Sequence, residues 1–293
     1  MARLKYTFKT DAMFKMLFTR HPELLKRLVA ALLGIRFESI GHFAVTSPEL
    51  PPGDFGKKFC RLDINMIVDG QQVNLEIQVR DEGDYPERAL FYWSRLYSSA
   101  LPKGDDYRKL PRTVVISIVD FDLFDCAGFH SEFRPLEVTR HEPLSDRMSL
   151  HFFELGKLPD ELDPEDMLLL WLMLFGAETE EKLGRIEALE VPIMGQVIEA
   201  YKEIMATHEF MDAVWRRDDA LSNEASALSN ARAEERKVWE GVVAERDAAL
   251  LEKNTALLER DAENERLRSE NTDTTAENER LRAQVAELLA RQG

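Results

Sequence analysis

Cysteine is scarce in this chain, since only Cys60 and Cys126 occur among its 293 residues. Two cysteines are too few for the multi-disulfide framework that stabilises small secreted domains. The first residues are polar and lack the apolar stretch of a secretory signal peptide. These two absences predict a cytoplasmic protein.

Long hydrophobic runs are also absent. The most apolar segment, Met167–Phe175, is too short to cross a bilayer, which takes about 20 residues. We therefore expect no membrane-spanning segment. The run is typical of a buried helix, and we predict that Asp163 caps it with Pro164 at the first helical position.

Several catalytic signatures are missing as well. No His or Cys pair has the spacing of a zinc site, no glycine-rich phosphate loop occurs, and no Ser or Cys stands in a recognisable nucleophile motif. The sequence therefore gives no indication of a zinc enzyme, a P-loop nucleotide binder or a hydrolase with a covalent intermediate. Carboxylates are the abundant reactive groups, with 54 Asp and Glu against 38 Lys and Arg and a net charge of −16.

Two of these carboxylates lie in a pair of alternating segments, 62–68 and 73–79, which flank Asp69-Gly70. Alternation of apolar and polar residues predicts two strands with one apolar and one polar face. The apolar face comprises Leu62, Ile64, Met66, Leu75, Ile77 and Val79, and the polar face comprises Asp63, Asn65, Asn74, Glu76 and Gln78.

Asp69-Gly70 is a strong signal for a hairpin with a two-residue type I′ turn. Such a turn pairs Val68 with Gln71 and places Asp63 opposite Glu76, with Cβ atoms roughly 4.5–5.5 Å apart. In a four-residue loop, Asp63 instead faces Gln78, and Glu76 becomes its diagonal neighbour. Both registers bring the two carboxylates together on one face.

Two carboxylates this close repel each other unless a proton or a cation lies between them. Mg²⁺ prefers oxygen ligands from one or two carboxylates and completes its shell with water. A bound metal lowers the pKa of its water and polarises a phosphate, which is the chemistry of phosphodiester hydrolysis. We therefore predict that Asp63 and Glu76 bind Mg²⁺ or another divalent cation and that Gln78 helps to orient the attacking water.

Asp63 followed by Glu76-Ile77-Gln78 resembles the signature of PD-(D/E)XK nucleases, with Gln78 in place of the usual lysine. Three further segments, Thr10–Phe18, Tyr85–Trp93 and His151–Lys157, occur in the order found in one branch of that superfamily. Over about residues 5–215 the chain resembles the Rpn family of recombination-promoting nucleases and transposases. The resemblance implies an α/β, restriction-endonuclease-like mixed sheet flanked by helices, and metal-dependent cleavage of DNA.

The resemblance also implies roles for individual residues. Asp63 and Glu76 match the metal-binding acids and Gln78 the third position, while Asp11 becomes a candidate third acid. An acid at the start of a helix is, however, also explained by the helix dipole. Lys15 and Arg88 are candidate phosphate contacts or, alternatively, partners in surface salt bridges. Because glutamine is uncharged, either activity is low or the missing positive charge comes from elsewhere.

The net negative charge is unevenly distributed. Residues 1–112 hold 18 Lys and Arg against 14 Asp and Glu, residues 113–217 hold 9 against 22, and residues 218–293 hold 11 against 18. Basic residues flank the carboxylate strands: Lys57, Lys58, Arg61, Arg88, Arg95, Lys103, Arg108 and Lys109. This cluster is either a DNA-binding surface or an ordinary solvated surface.

The rest of the N-terminal region predicts alternating helices and strands. We predict a helix over Asp11–Leu33 ended by Gly34, a strand near Phe37–Val45, a loop over Ser47–Gly56, a helix over Tyr85–Ala100, a strand buried on both faces over Arg112–Phe121, a strand over Ser149–Leu155 and helices up to about Trp215. This order indicates a mixed sheet with helices packed against it.

The composition changes at about Asp218, which predicts a nuclease-like domain over residues 1–217 and a tail over residues 218–293. No proline follows Pro192, so the tail reads as one long C-terminal coiled-coil helix. Its heptad a positions are Leu250, Leu257, Asn264, Asn271, Asn278 and Val285, and its d positions include Leu267, Leu281 and Leu288.

Asparagine at position a favours a parallel, in-register pair, because the amides bond each other only when aligned. We predict a parallel homodimer through residues 240–293. The alternative is a single solvated helix.

Three functional hypotheses follow from these patterns. The first is a Mg²⁺-dependent DNA endonuclease that the tail holds as a dimer. The second is a module that keeps the nuclease fold and binds DNA or protein without cleaving it. The third is a coiled-coil adaptor whose N-terminal domain docks a partner.

Overall fold

The computed structural model describes residues 2–46, 49–50, 60–61, 63–102 and 104–292. Its helices are α1 (Asp11–Arg20), α2 (Pro22–Leu33), α3 (Tyr85–Ser99), α4 (Met167–Phe175), α5 (Glu180–Glu187), α6 (Pro192–Met205) and α7 (His208–Gln292). Its strands are β1 (Phe43–Thr46), β2 (Glu49–Leu50), β3 (Cys60–Arg61), β4 (Ile64–Val68), β5 (Gln71–Gln78), β6 (Thr113–Val119), β7 (His130–Phe133) and β8 (Met148–Glu154).

Six of the strands form one mixed sheet in the order β1-β4-β5-β6-β8-β7. The pairs β1–β4 and β4–β5 are antiparallel, the pairs β5–β6 and β6–β8 are parallel, and β7 closes the edge antiparallel to β8. Strands β2 and β3 form a separate antiparallel pair. The predicted α/β architecture with a mixed sheet is therefore confirmed.

Helices cover both faces of the large sheet. On one face, residues of α1, α2, α4 and α6 share a core with Ile64, Leu75 and Ile116. On the other face, α3 packs through Tyr85, Ala89 and Leu96 in a second core, whose strand residues are Val115, Val119, Leu150 and Phe152. All seven residues of β6 are buried, which confirms the prediction of a strand enclosed on both faces.

The hairpin between β4 and β5 has the predicted two-residue turn. Val68 pairs with Gln71, and both turn residues have positive φ, 48° at Asp69 and 80° at Gly70. This is the type I′ geometry that Asp-Gly favours. The register runs to the pair Ile64–Leu75, so the next opposed positions are Asp63 and Glu76. The four-residue alternative is thereby excluded.

The predicted single helix over Asp11–Leu33 is wrong, because the structure has two helices that meet at His21. Pro22 explains the break, since proline has no N–H to donate to the preceding turn and its ring clashes with that turn. The predicted end at Gly34 is confirmed. Its φ of 64° is left-handed, and Ile35 N donates to Ala30 O in a typical glycine C-cap.

Two other boundary predictions need correction. Phe37–Ser39 is a short 3-10 turn and not the start of a strand, which begins at Phe43. Asp166, not Asp163, caps the apolar helix α4, because the Asp166 carboxylate accepts from Leu169 N. Asp163 instead accepts from Glu165 N in the preceding turn.

The sequence-based prediction of the sheet was wrong about one residue and missed one strand. Val79 is 47% exposed and does not belong to the apolar face. Edge strand β7 was not predicted, because its sequence His130–Phe133 is short and mostly polar. The predicted loop over Ser47–Gly56 lies outside the described residues apart from the short strand β2.

The chain divides into two compact units, residues 1–217 and 218–293. The long helix that the composition predicted is confirmed, since α7 spans 85 residues from His208. Within the second unit, the predicted a positions Leu250, Leu257 and Val285 are 57%, 48% and 55% exposed. Among the described residues, no helix is both long and apolar enough to cross a bilayer.

Candidate active site

Asp63 and Glu76 hold each other in place at the open end of the β4–β5 hairpin. The backbone N–H of Asp63 donates to Glu76 Oε1 over 2.9 Å. In return, Asp63 Oδ2 accepts from the backbone N–H of Ile77 over 3.0 Å. The local hairpin register thus fixes the two carboxylates side by side.

Glu76 is more enclosed than a residue on a solvated polar face. It is 6% exposed, because its face of the sheet is the one that α3 covers. Burial and, second, the charge of Asp63 raise the pKa of Glu76 to about 8. The polar face that alternation predicts is therefore buried at Glu76 and is not solvated. The face remains polar, since Asn65 and Asn74 are buried there as well.

Lys15 joins this pair from helix α1. Its Nζ lies 3.0 Å from Asp63 Oδ1 and 2.5 Å from Asp11 Oδ1. Burial by itself lowers the pKa of Lys15, but the carboxylates of Asp63 and Asp11 outweigh it, and the net shift is upward. Asp11 is the first residue of α1, as predicted, and it reaches the carboxylate pair through Lys15.

Gln78 lies two residues beyond Glu76 on β5. Its Nε2 donates to the backbone oxygen of Arg80 over 2.9 Å. The amide is therefore held at the end of the strand, and the structure shows no hydrogen bond from it to Asp63 or Glu76 within the described residues.

Arg88 lies in the first part of α3, over the ring of Tyr85 at 5.6 Å. Its guanidinium contacts Glu82 at 3.0 Å and the Tyr92 hydroxyl at 3.3 Å. Tyr85 is itself buried, and its pKa is raised by that burial and, second, by the charge of Glu76. Through Tyr85, α3 brings Arg88 to the same side of the sheet as Glu76.

The predicted basic cluster is only partly described. Lys57, Lys58 and Lys103 lie outside the described residues, and nothing is described of the Arg61 side chain. Arg108 and Lys109 are exposed and pair with neighbouring acids, at 2.5 Å to Asp106 Oδ2 and 3.2 Å to Asp105 Oδ1.

Two further residues had no role in the sequence-based prediction. Asn74 donates to Glu76 Oε1 over 2.8 Å and so fixes the carboxylate, and strand alternation already placed it on that face. Lys9 is 5% exposed and pairs with Asp120 and Glu178. Asp120 N in turn donates to Gln78 O over 2.9 Å. No local pattern signals the Lys9 contacts, because its partners are 111 and 169 residues away.

The donor atoms fit a hard divalent cation. Glu76 Oε1 accepts two hydrogen bonds, whereas no hydrogen bond to Glu76 Oε2 is found within the described part of the chain. No group of three or more His, Cys, Asp or Glu side chains is poised for a metal among the same residues. A set of two carboxylates fits Mg²⁺, which keeps several waters, better than a metal that needs an all-protein shell.

A mixed sheet flanked by helices, with two opposed carboxylates at the open end of a strand hairpin, has the architecture of the PD-(D/E)XK nuclease class. The chain belongs to the PD-(D/E)XK nuclease family transposases, whose family profile matches residues 8–231. The resemblance noted in the sequence is thus confirmed at the level of the family. No curated protein and no protein of known structure matches the chain.

Proposed function

We propose that this protein is a divalent-metal-dependent endonuclease that hydrolyses phosphodiester bonds in DNA. The observation that carries the proposal is the pair of carboxylates, Asp63 and Glu76, at the open end of the β4–β5 hairpin. Each accepts a hydrogen bond from a backbone N–H beside the other, and Asp63 also contacts the ammonium of Lys15. Membership in a nuclease-type family supports the reaction class.

The residues of the site have separable roles in this proposal. Asp63 and Glu76 hold the cation, preferentially Mg²⁺, which when bound polarises the phosphate and acidifies a water. Asn74 and the Asp63 backbone N–H orient the Glu76 carboxylate. Gln78, released from Arg80 O, orients the attacking water, and Arg88 contacts a substrate phosphate.

DNA is the proposed substrate for two reasons. The family is one of nucleases and transposases, and the part of the chain that carries the site, residues 1–112, has 18 Lys and Arg against 14 Asp and Glu. Positive charge in this part of the chain attracts DNA phosphates, whereas the acidic remainder of the chain repels them. We place this activity in the cytoplasm, as the cysteine content predicts.

A second candidate is a nuclease-fold module that binds DNA or protein without cleaving it. The position of Gln78 favours this candidate, because its amide is already bonded to Arg80 O and carries no charge. Under this reading the carboxylate pair is a remnant that still holds a cation.

Nicking of supercoiled plasmid by the purified full-length protein, with and without Mg²⁺, separates the two candidates. We expect nicking only with the metal, and we expect Asp63→Asn and Glu76→Gln each to abolish it. The matched control is Glu187→Gln, which removes an exposed acid paired with Lys202 on another surface. DNA binding without nicking in the unaltered protein would favour the binding module.

We further propose that residues 240–293 form a parallel homodimer. Leucine and valine side chains at the heptad positions are about half exposed on the single helix, and pairing would bury them. A parallel pair would supply two nuclease domains per assembly, which suits cleavage of both DNA strands.

A further inference from the structure

Lys15 lies between two carboxylates that belong to different elements. Asp11 is four residues before it on α1, and Asp63 comes just before β4. The Lys15 side chain is 27% exposed, and those of Asp11 and Asp63 are 36% and 16% exposed. A lysine this enclosed loses much of its hydration, so its ammonium depends on the two carboxylates for charge stabilisation.

The contact with Asp63 involves the oxygen that a metal ion would need. Asp63 Oδ2 is already committed to the N–H of Ile77, and Lys15 Nζ lies at 3.0 Å from the other oxygen, Oδ1. A divalent cation on Oδ1 would bring two positive charges next to the ammonium. The two cations therefore compete for the same carboxylate oxygen.

We infer that Lys15 is an internal counter-ion of the metal-free site, and that a divalent cation binds by displacing its ammonium from Asp63. Asp11 retains the displaced ammonium, because it contacts the same Nζ at 2.5 Å and lies on the same helix. Lys15 thus becomes a positive charge beside the loaded site, where the chain has Gln78 in place of a lysine. This inference rests on the proposed metal-dependent function.

The inference gives Asp11 a role that differs from that of a third metal ligand. As an anchor for Lys15, Asp11 favours metal binding chiefly by holding the ammonium away from Asp63, in addition to the direct attraction of its charge. As a ligand, it would favour metal binding equally with and without Lys15. The double variant separates these roles, since the part of the effect that is transmitted through Lys15 disappears when Lys15 is absent.

The experiment measures Mn²⁺ binding to the full-length protein by electron paramagnetic resonance, without substrate or turnover. The variants are Lys15→Met, Lys15→Arg, Asp11→Asn and Asp11→Asn with Lys15→Met. Lys202→Met is the matched control, because it removes a helical lysine paired with an acid at 2.9 Å on a different surface. Glu76→Gln defines which signal belongs to the site, and circular dichroism verifies the fold of each variant.

We expect Lys15→Met to tighten Mn²⁺ binding roughly tenfold or more, because a unit charge a few ångströms away in a partly buried site is worth at least one decade. Lys15→Arg should bind like the unaltered protein, and Asp11→Asn should bind more weakly. Adding Asp11→Asn to Lys15→Met should cost clearly less affinity than Asp11→Asn costs in the unaltered protein, because only the direct attraction of the Asp11 charge is then lost. Lys202→Met should change nothing.

Two results would overturn the inference alone: unchanged or weaker binding in Lys15→Met, or a loss of affinity from Asp11→Asn that is as large with Lys15→Met as it is in the unaltered protein. A different result would contradict the proposed function itself. If neither the unaltered protein nor Lys15→Met shows binding that depends on Glu76, the metal site is absent and the proposal of metal-dependent cleavage fails with it.

Discussion

The surroundings of Glu76 disfavour the charged form of its carboxylate. Its carboxylate is buried beside Asp63, which raises its pKa to about 8 from an ordinary value of 4.5. Hydrogen bonds from Asp63 N and Asn74, and the charge of Lys15, offset only part of this shift. A cation that bound there would replace a proton, so the proposed metal binding would be coupled to proton release.

This coupling predicts how the stability of the metal-free protein depends on pH. Because folded Glu76 binds its proton more tightly than the unfolded chain does, the free energy of unfolding is highest below about pH 4.5 for this group and falls as pH rises to about 8. The steepest slope is about 1.4 kcal/mol per pH unit. Urea unfolding at several pH values measures it.

Glu76→Gln should remove that slope while it keeps an oxygen to accept from Asp63 N and Asn74. At pH 8 the variant should be as stable as the unaltered protein or more so. A variant that is strongly destabilised at every pH would show that Glu76 is a structural acid and not a ligand held ready for a cation.

Gln78 allows a second prediction at the residue scale. Gln78→Lys keeps a donor for Arg80 O and adds the charge that is usual at this position in the wider superfamily. If Gln78 only orients water, this variant should retain or exceed the original nicking rate, whereas Gln78→Ala should lower it. Plasmid nicking under Mg²⁺ measures both, and a Gln78→Lys protein as inactive as Asp63→Asn would contradict the assigned role.

At the scale of elements, local backbone conformation determines what a glycine contributes to a helix. Gly34 ends α2 with a φ of 64°, and Gly184 lies within α5, where it is solvent-exposed. An added Cβ would meet no atom within 4 Å at either position. The two glycines therefore differ in backbone conformation and not in available space.

Alanine should consequently have opposite effects at these two positions. Gly34→Ala forces a side chain into the left-handed region and should destabilise the protein by about 1 kcal/mol. Gly184 is helical in the folded protein, and an alanine there lowers the conformational entropy of the unfolded chain. Gly184→Ala should therefore stabilise the protein by about 0.5–1 kcal/mol. Urea midpoints report both changes, and shifts of the same sign would refute the assignment of Gly34 as a left-handed cap.

At the scale of the whole molecule, the first unit has its own core and the tail exposes apolar side chains. Phe210 and Val214 at the start of α7 are buried, whereas Trp215 is 60% exposed. Truncation after residue 217 should therefore leave a folded monomer that still nicks DNA. Its cleavage of both strands should be slower if two sites act together.

The tail itself should make the full-length protein a parallel dimer. Asn264, Asn271 and Asn278 recur at position a, and aligned amides can satisfy one another only in register. Replacing all three by leucine should strengthen association and relax its specificity towards higher oligomers or antiparallel pairs. Sedimentation measures both effects, and a full-length monomer at micromolar concentration would refute the dimer.

The sequence by itself determined those features that depend on neighbouring residues. The Asp-Gly turn and the two-residue period of the strands were enough to place Asp63 opposite Glu76, because a hairpin register is set by its turn. Composition alone was enough for the long helix. The break at Pro22 was also local and readable, although the continuous apolar pattern across it suggested one helix.

Only the tertiary structure decided what surrounds those carboxylates. Alternation shows that Glu76 shares a polar face, but the packing of α3 determines that this face is buried and that the pKa of Glu76 rises. Lys15 meets Asp63 across 48 residues of chain, and Lys9 meets Glu178 across 169. Such ion pairs depend on how helices and strands pack together. No periodicity or spacing in the sequence indicates them.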